Sequence, residues 1–325
     1  MSAKGLYWQS LARIRKFARY VHNKAKPFYC PLQQRNNHGM YAVYINAGVG
    51  FFAQLNWCLY IFAHCEQLNL KPVIFLAGPF YTRHEGENWL EYYFDSFKLP
   101  QTDQVLIDNR SVKFSYISDI EQMGMPVDYD KQMTLEHANR LLGENLRVKT
   151  DIQDYVASFV KKHFDHKTVL GVHYRGTDKK SEAKPVSYEY VARVISNYLS
   201  ANHKVDAIFV ASDEMDVIEW IKAKFNYLSV MFHDDVERSR GGKPIHANYR
   251  QGDNYIKGKE ALVNCLLLSK CDALIRTASF LSAWSSIFNP DLPVILLNKP
   301  FEDKLWFPDA EIIKKSLSEY LPSQT

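Results

Sequence analysis

A chain of 325 residues has room for two domains of ordinary size or for one large one. Its 46% hydrophobic and 23% charged residues are the balance of a globular protein. The formal net charge of +4 suits an anionic small molecule or transient contact with anionic lipid, and is too weak to argue for nucleic acid. Five cysteines (Cys30, Cys58, Cys65, Cys265, Cys271) form no CxxC pair, which excludes a zinc knuckle and a disulfide framework and fits a reducing, cytoplasmic compartment.

Residues 1–30 have no apolar core between their basic residues, so no signal peptide is expected, and no stretch of about 18 uncharged apolar residues predicts a membrane span. Residues 8–25, WQSLARIRKFARYVHNKA, space Leu11, Ile14, Phe17, Ala18 and Val21 as one face of a basic helix. That pattern fits an interfacial membrane contact and a solvated terminal helix equally. YAVYIN (41–46) is the first strand. It runs through Gly48 and Gly50 into an apolar helix, 53–68, and a second strand, 72–76. This is one βαβ unit. The GxG matches the start of a dinucleotide fingerprint, but the third glycine is missing and nothing acidic closes the second strand. Two helices are expected over 135–146 and 152–164, and the hydrophilic run 163–167 marks a domain boundary.

The second half repeats one rhythm. Strands over 169–174, 207–211, 228–232, 272–276 and 294–297 alternate with helices over 188–199, from after Glu214 through Phe225, over 259–269 and after Ser282. Strands and helices at this spacing imply a parallel, doubly wound sheet, so the two halves read as Rossmann-like domains facing across a cleft. The boundaries expected are 1–165 for the first domain, 166–305 for the second, and 306–325 for a terminal helix (309–321) packing back on the first. The long polar loop 233–253 carries Arg238, Arg240, Gly241, Gly242, His246 and Arg250, a composition suited to closing over an anion. The stretch Thr168 to Glu182 stands out. An apolar run ends in His173, Tyr174, Arg175, Gly176, Thr177, Asp178 and Lys179, with Glu182 close behind. Ligands bind at the carboxyl ends of strands in open α/β sheets, so this ionisable cluster is a candidate site.

HYRGTDKKSE resembles the HVRRTDK-type motif of the NodZ and α-1,6-fucosyltransferase family, which is related to protein O-fucosyltransferases. Further blocks agree in order and spacing: IFVASDE (208–214), LLLSKCDALIRTASFLS (266–282) and GVGFFAQL (48–55). The resemblance implies a GT-B-like glycosyltransferase that uses GDP-fucose as donor, inverts the anomeric centre, needs no metal or other cofactor, and acts on a glycan acceptor. The donor would sit on residues 166–300 and the acceptor across the cleft on residues 40–165. Arg175 would neutralise the leaving diphosphate, because a guanidinium binds phosphate through two parallel hydrogen bonds. His173 and Lys179 would assist it. Ser279 and Ser282, at a strand-to-helix turn, would seat phosphate, unless Ser279 is only an N-cap. Asp213 would hold a ribose or the catalytic loop, or cap its helix. Gly48 and Gly50 would face the donor from the first domain.

This chain departs from the family pattern at three places. The second arginine is Gly176. The general-base carboxylate falls at Ala183, leaving Glu182 and Asp178 as competing candidates. The carboxylate that reads guanine falls at Asn264, with Glu260 one turn earlier. These departures motivate two rival readings, a transferase for another nucleotide sugar and a catalytically silent sugar-nucleotide-binding protein. Gly48 and Gly50 alone motivate a third, a nicotinamide-dependent oxidoreductase.

Overall fold

The computed structural model describes residues 39–96, 112–114, 132–176, 181–234, 238 and 253–322. The basic segment 8–25 lies outside these residues, as do Asp178 and Lys179 and, in the polar loop, Arg240, Gly241, Gly242, His246 and Arg250.

The βαβ unit read from the sequence is present as β1 (Met40–Ile45), α1 (Phe51–Leu68) and β2 (Lys71–Leu76). α1 is apolar around almost its whole circumference, as a helix enclosed on all sides must be. Its buried polar residues are hydrogen-bonded: Gln54 Nε2 donates to Val49 O (3.0 Å), and Asn56 Nδ2 donates to Phe307 O (2.9 Å). α2 (Leu90–Tyr93) and β3 (Phe94–Ser96) follow, and β4 (Val112–Phe114) completes a parallel sheet in the order β2-β1-β4. α3 (Leu135–Asn145) is capped by Thr134 Oγ1, which accepts from His137 N (3.2 Å). Leu146 is expected as the last helical residue but instead opens β5 (Leu146–Val148), which pairs antiparallel with β3. α4 (Thr150–His163) carries Asp151 in its first turn and Lys161, Lys162 and His163 in its last, matching the helix dipole at both ends.

The second sheet is built on β6 (Thr168–Tyr174), whose residues after Thr168 are all buried. α5 (Tyr188–Ala201), β7 (Val205–Ser212), α6 (Met215–Lys224) and β8 (Ser229–Met231) extend it on one side. α7 (Asn254–Leu268), β9 (Ala273–Arg276), α8 (Phe280–Phe288) and β10 (Val294–Leu296) return the chain to the other side. The order is β10-β9-β6-β7-β8, all parallel. The strand order reverses between β6 and β9, which makes their carboxyl ends the switch-point crevice where such sheets bind ligands.

The two sheets share a core. Side chains of α1, α3 and α4 cluster with those of α7 and α8, and the Phe52 and Trp284 rings lie 5.6 Å apart. A second seam joins residues 79–93 to the start of α7. Arg83 Nε donates to Asp253 Oδ1 (2.7 Å), and its guanidinium lies 4.5 Å from the centre of the Tyr255 ring. Tyr93 stacks on Tyr255 (5.4 Å, 7°) and donates to Tyr255 O (2.9 Å). Asn254 Nδ2 donates to Thr82 O (2.8 Å).

The expected terminal helix 309–321 is shorter and differently placed. α9 (Asp309–Lys315) packs on α8 and β10, and a 3-10 turn (Ser318–Tyr320) packs on α5 and β10. The ordered tail therefore covers the second sheet mainly, and reaches the first half through Phe307 O and the exposed Lys315–Glu136 pair. The four described cysteines are buried and unbridged. Among the described residues no helix is long and apolar enough to cross a membrane.

Candidate functional site

The loop after β6 is tied down by side chains from both neighbouring strands. Ser212 Oγ, at the end of β7, donates to Tyr174 O (2.8 Å). Arg175 N donates to Thr277 Oγ1 (3.0 Å), in the loop after β9. Gly176 N donates to Glu214 Oε1 (3.1 Å), in the loop after β7. Three successive backbone groups are thus held at the switch point. The half-buried Arg175 guanidinium has its Nε 4.0 Å from Asp213 Oδ2.

Across the crevice stands Tyr81, whose hydroxyl accepts from Phe51 N (2.9 Å) at the start of α1. Burial pushes the Tyr81 phenol up to about 12, while the Phe51 amide and the Arg175 charge act the other way, so Arg175 faces the first sheet's loops electrostatically. Gly48 and Gly50 lie beside this helix start. A Cβ on Gly48 would rest 3.6 Å from Phe80, and one on Gly50 would meet open space. Neither glycine is demanded by close packing, and α1's first amide already serves Tyr81.

Gly176 is different. A Cβ there would lie 2.7 Å from Tyr174 Oη and 2.8 Å from Glu214 Oε1. Tyr174 is buried and donates to Val186 O (2.8 Å), while Glu214 is buried and also accepts from Tyr188 Oη (2.8 Å). Glu214 is raised from the ordinary carboxylate value by burial first and by the Asp213 and Asp216 charges, against the Tyr188 and Gly176 hydrogen bonds.

On the β9 side, Ser279 caps α8 by position, but its hydroxyl closes no hydrogen bond on its own helix. It lines a cleft of about 300 Å³ together with Glu182, Lys304, Asp309 and the parallel Phe280 and Trp306 rings (6.2 Å, 4°). Ser282, expected beside it as a phosphate ligand, turns inward instead. Its Oγ accepts from Arg276 Nε (2.9 Å) and it is fully buried. Arg276 is itself fully buried; it donates to Asp309 Oδ1 (2.6 Å) and Ser279 O (2.8 Å). A buried guanidinium must be paired, and Ser282 is one of its acceptors, so its hydroxyl is directed away from the crevice. Ala183 is buried and bridges Pro300, while Glu182 before it lines the cleft and its carbonyl accepts from Phe301 N (2.8 Å).

His173 is buried in register with Ala211 and Arg276, inside the sheet behind Arg175. Asn264 is buried on α7, where its Nδ2 donates to Glu260 O (3.1 Å) and its Oδ1 has no hydrogen-bond partner. His233 and Arg238 remain from the polar loop. Tyr155 Oη and His233 Nε2 lie 2.7 Å apart, and Arg238 Nε donates to Ser212 O (3.3 Å). Arg175, Asp213, Glu182 and Ser279 thus border one crevice region, with His173 behind them, while Asn264 sits apart on α7. Tyr81, Thr277, Glu214, Tyr188 and Arg276 were not singled out in the sequence. Only the acidic turn containing Glu214 gave any signal. Among the described residues no three His, Cys, Asp or Glu side chains converge as a metal would need.

Comparison with known proteins agrees with this geometry. The structure is similar to NodZ α-1,6-fucosyltransferase soaked with GDP-fucose, at TM-score 0.54 and 15% identity over 79% of this chain and 94% of that one. It is similar to fucosyltransferase NodZ from Bradyrhizobium at TM-score 0.55 and 16% identity, over 79% and 95%. A mutant of Arabidopsis thaliana FUT1 in complex with GDP gives TM-score 0.51 and 12% identity over 87% and 76%. These likenesses establish the GT-B-type α/β fold. No curated protein matches the sequence. The profile of Nodulation protein Z matches residues 132–303, more than half of the chain, and with it β6, the acidic turn after β7 and the α7–β9–α8 segment. The chain belongs to the NodZ family.

Proposed function

We propose that this protein is an inverting fucosyltransferase that moves fucose from GDP-fucose to a glycan acceptor without a metal ion. The observation that carries the reading is Arg175, a permanently charged guanidinium at the switch point of the second sheet, on backbone tied to both flanking strands. In the proposed reaction an acceptor hydroxyl attacks the anomeric carbon, the bond from that carbon to the diphosphate oxygen breaks, and GDP leaves. Arg175 stabilises the charge that grows on the diphosphate, and Ser279 with the first amides of α8 receives a phosphate. Glu182, on the wall of the cleft, is the base that takes the hydroxyl proton; Asp178 competes for that role. Asn264 Oδ1, buried and unpartnered, accepts from the base of the nucleotide. The donor side is residues 166–305, and the acceptor is met from the side of residues 1–165.

Calorimetric titration of GDP, UDP and NAD, with Arg175→Ala in parallel, tests this. GDP binding weakened by about 2 kcal/mol or more in the variant is expected from loss of a charge-assisted contact. UDP binding in its place discards fucose, and NAD binding or indifference to Arg175 discards the reading. A silent nucleotide-sugar-binding protein is favoured by one observation, the buried, bridged Ala183 where the family pattern has a carboxylate. It predicts GDP-fucose binding with neither transfer nor donor hydrolysis. Contact of segment 8–25 with anionic lipid also belongs to this proposal, and liposome binding that survives removal of residues 1–25 removes it.

A further inference from the structure

We infer that Glu214 and Tyr188 are positioning residues for Arg175, and that Gly176 is the residue that lets them act, not a lost cation. The inference rests on the transferase reading for its effect on catalysis, but its geometry stands on the loop itself. Residues 175–187 leave β6 and return as α5, and they carry Arg175, Asp178, Lys179 and Glu182, the candidate groups of the reaction. The two ends of this loop meet at one carboxylate. Glu214 accepts from Gly176 N at the start (3.1 Å) and from Tyr188 Oη at the end (2.8 Å), and Tyr174 Oη reaches across to Val186 O (2.8 Å).

The bland alternative makes Glu214 the cap of α6. It stands at the N-cap position, but its side chain makes no capping bond and reaches back to the β6 loop instead. A buried carboxylate is costly unless it is hydrogen-bonded, and here both donors come from the neck of one loop. The donor at position 176 is a backbone amide that can approach only because there is no Cβ. Any side chain would meet Tyr174 Oη at 2.7 Å and Glu214 Oε1 at 2.8 Å. The arginine of the family pattern and this clamp are therefore mutually exclusive. With Arg175 N on Thr277 and Gly176 N on Glu214, the backbone on both sides of the Arg175 Cα is fixed, and so is the direction in which its guanidinium leaves. Preorganisation of this kind counts because a small misplacement of a charged group forfeits much of its effect on a transition state.

The test is a double-mutant cycle read by GDP calorimetry, with hydrogen exchange of segment 174–188 measured on the same proteins. Glu214→Gln and Tyr188→Phe are nearly isosteric. Each is expected to weaken GDP binding by about tenfold and to raise exchange across the segment. In an Arg175→Ala background neither is expected to weaken binding further, since both act through the guanidinium. Additive losses, or exchange unchanged in both variants, overturn the inference. Wild-type protein that does not bind GDP refutes the donor assignment instead, and exchange in the variants still judges the clamp.

Discussion

Removing the Asp309 carboxylate tests the buried charge behind the Ser279 turn. Arg276 is fully enclosed, and Asp309 Oδ1, 2.6 Å from Nη1, is the acidic partner found for it. In Asp309→Ala the guanidinium keeps Ser282 Oγ and Ser279 O but loses its counter-charge. Breaking such a pair from one side costs about 3–5 kcal/mol, a large part of the 5–15 kcal/mol by which ordinary proteins are stable. At roughly 2 °C per kcal/mol for a chain of this size, Tm falls by about 6–10 °C. Thermal unfolding followed by circular dichroism measures this, together with the double variant Arg276→Met/Asp309→Leu. The double variant removes both charges and recovers much of the loss, because an apolar pair of similar volume is often neutral or better. An Asp309→Ala variant that melts within 1 °C of the wild type refutes the claim that this carboxylate neutralises Arg276.

Gly258→Ala places a methyl group 2.2 Å from Tyr93 Oη and 2.5 Å from its Cζ. Overpacking costs about 1–3 kcal/mol, against roughly 1 kcal/mol gained in helix propensity, so a net loss of about 1–2 kcal/mol is expected in denaturant titration. A stabilised variant shows that the Tyr93–Tyr255 stack yields easily. Glu214 faces Tyr188, the Gly176 amide, Asp213 and Asp216, and its folded-state pKa is raised above the ordinary 4.5. The folded protein then holds this proton more tightly than the unfolded chain does. The stability it contributes is complete below pH 4.5 and is lost as pH rises through the raised value. Denaturant midpoints over that range decline less steeply in Glu214→Gln than in wild type, and parallel slopes count against the assignment.

The alternation of strands and helices was legible because each strand of the second sheet is buried on both faces. Runs such as VLGV and AIFVA therefore carry no polar interruption. The start of α7 was not. Gly258 reads as a break, yet it lies inside the helix because Tyr93, distant in sequence, fills the space a side chain would need. Asp253, at the end of a polar loop, proves to be the cap, accepting from Tyr255 N (2.9 Å). Arg175 and Asp213 could be read because they follow their strands directly. Ser282 could not be placed, because the direction of its hydroxyl depends on a buried arginine six residues earlier whose enclosure no local pattern announces. Gly176 looked like an omission in the sequence; only the positions of Tyr174 and Glu214 give it a steric reason.

The shared core also bears on how the protein can be handled. A fragment cut near residue 165 would strip α7 and α8 of the α1, α3 and α4 side chains that enclose them, leaving Trp284, Leu262 and their neighbours bare to water. It would also lose Tyr93 and Arg83, which anchor the first turn of α7. The nucleotide half is therefore not a portable module. Constructs meant to carry the Arg175 crevice need to begin upstream of β1, and grafting the crevice onto another acceptor half requires rebuilding the aromatic joint between them.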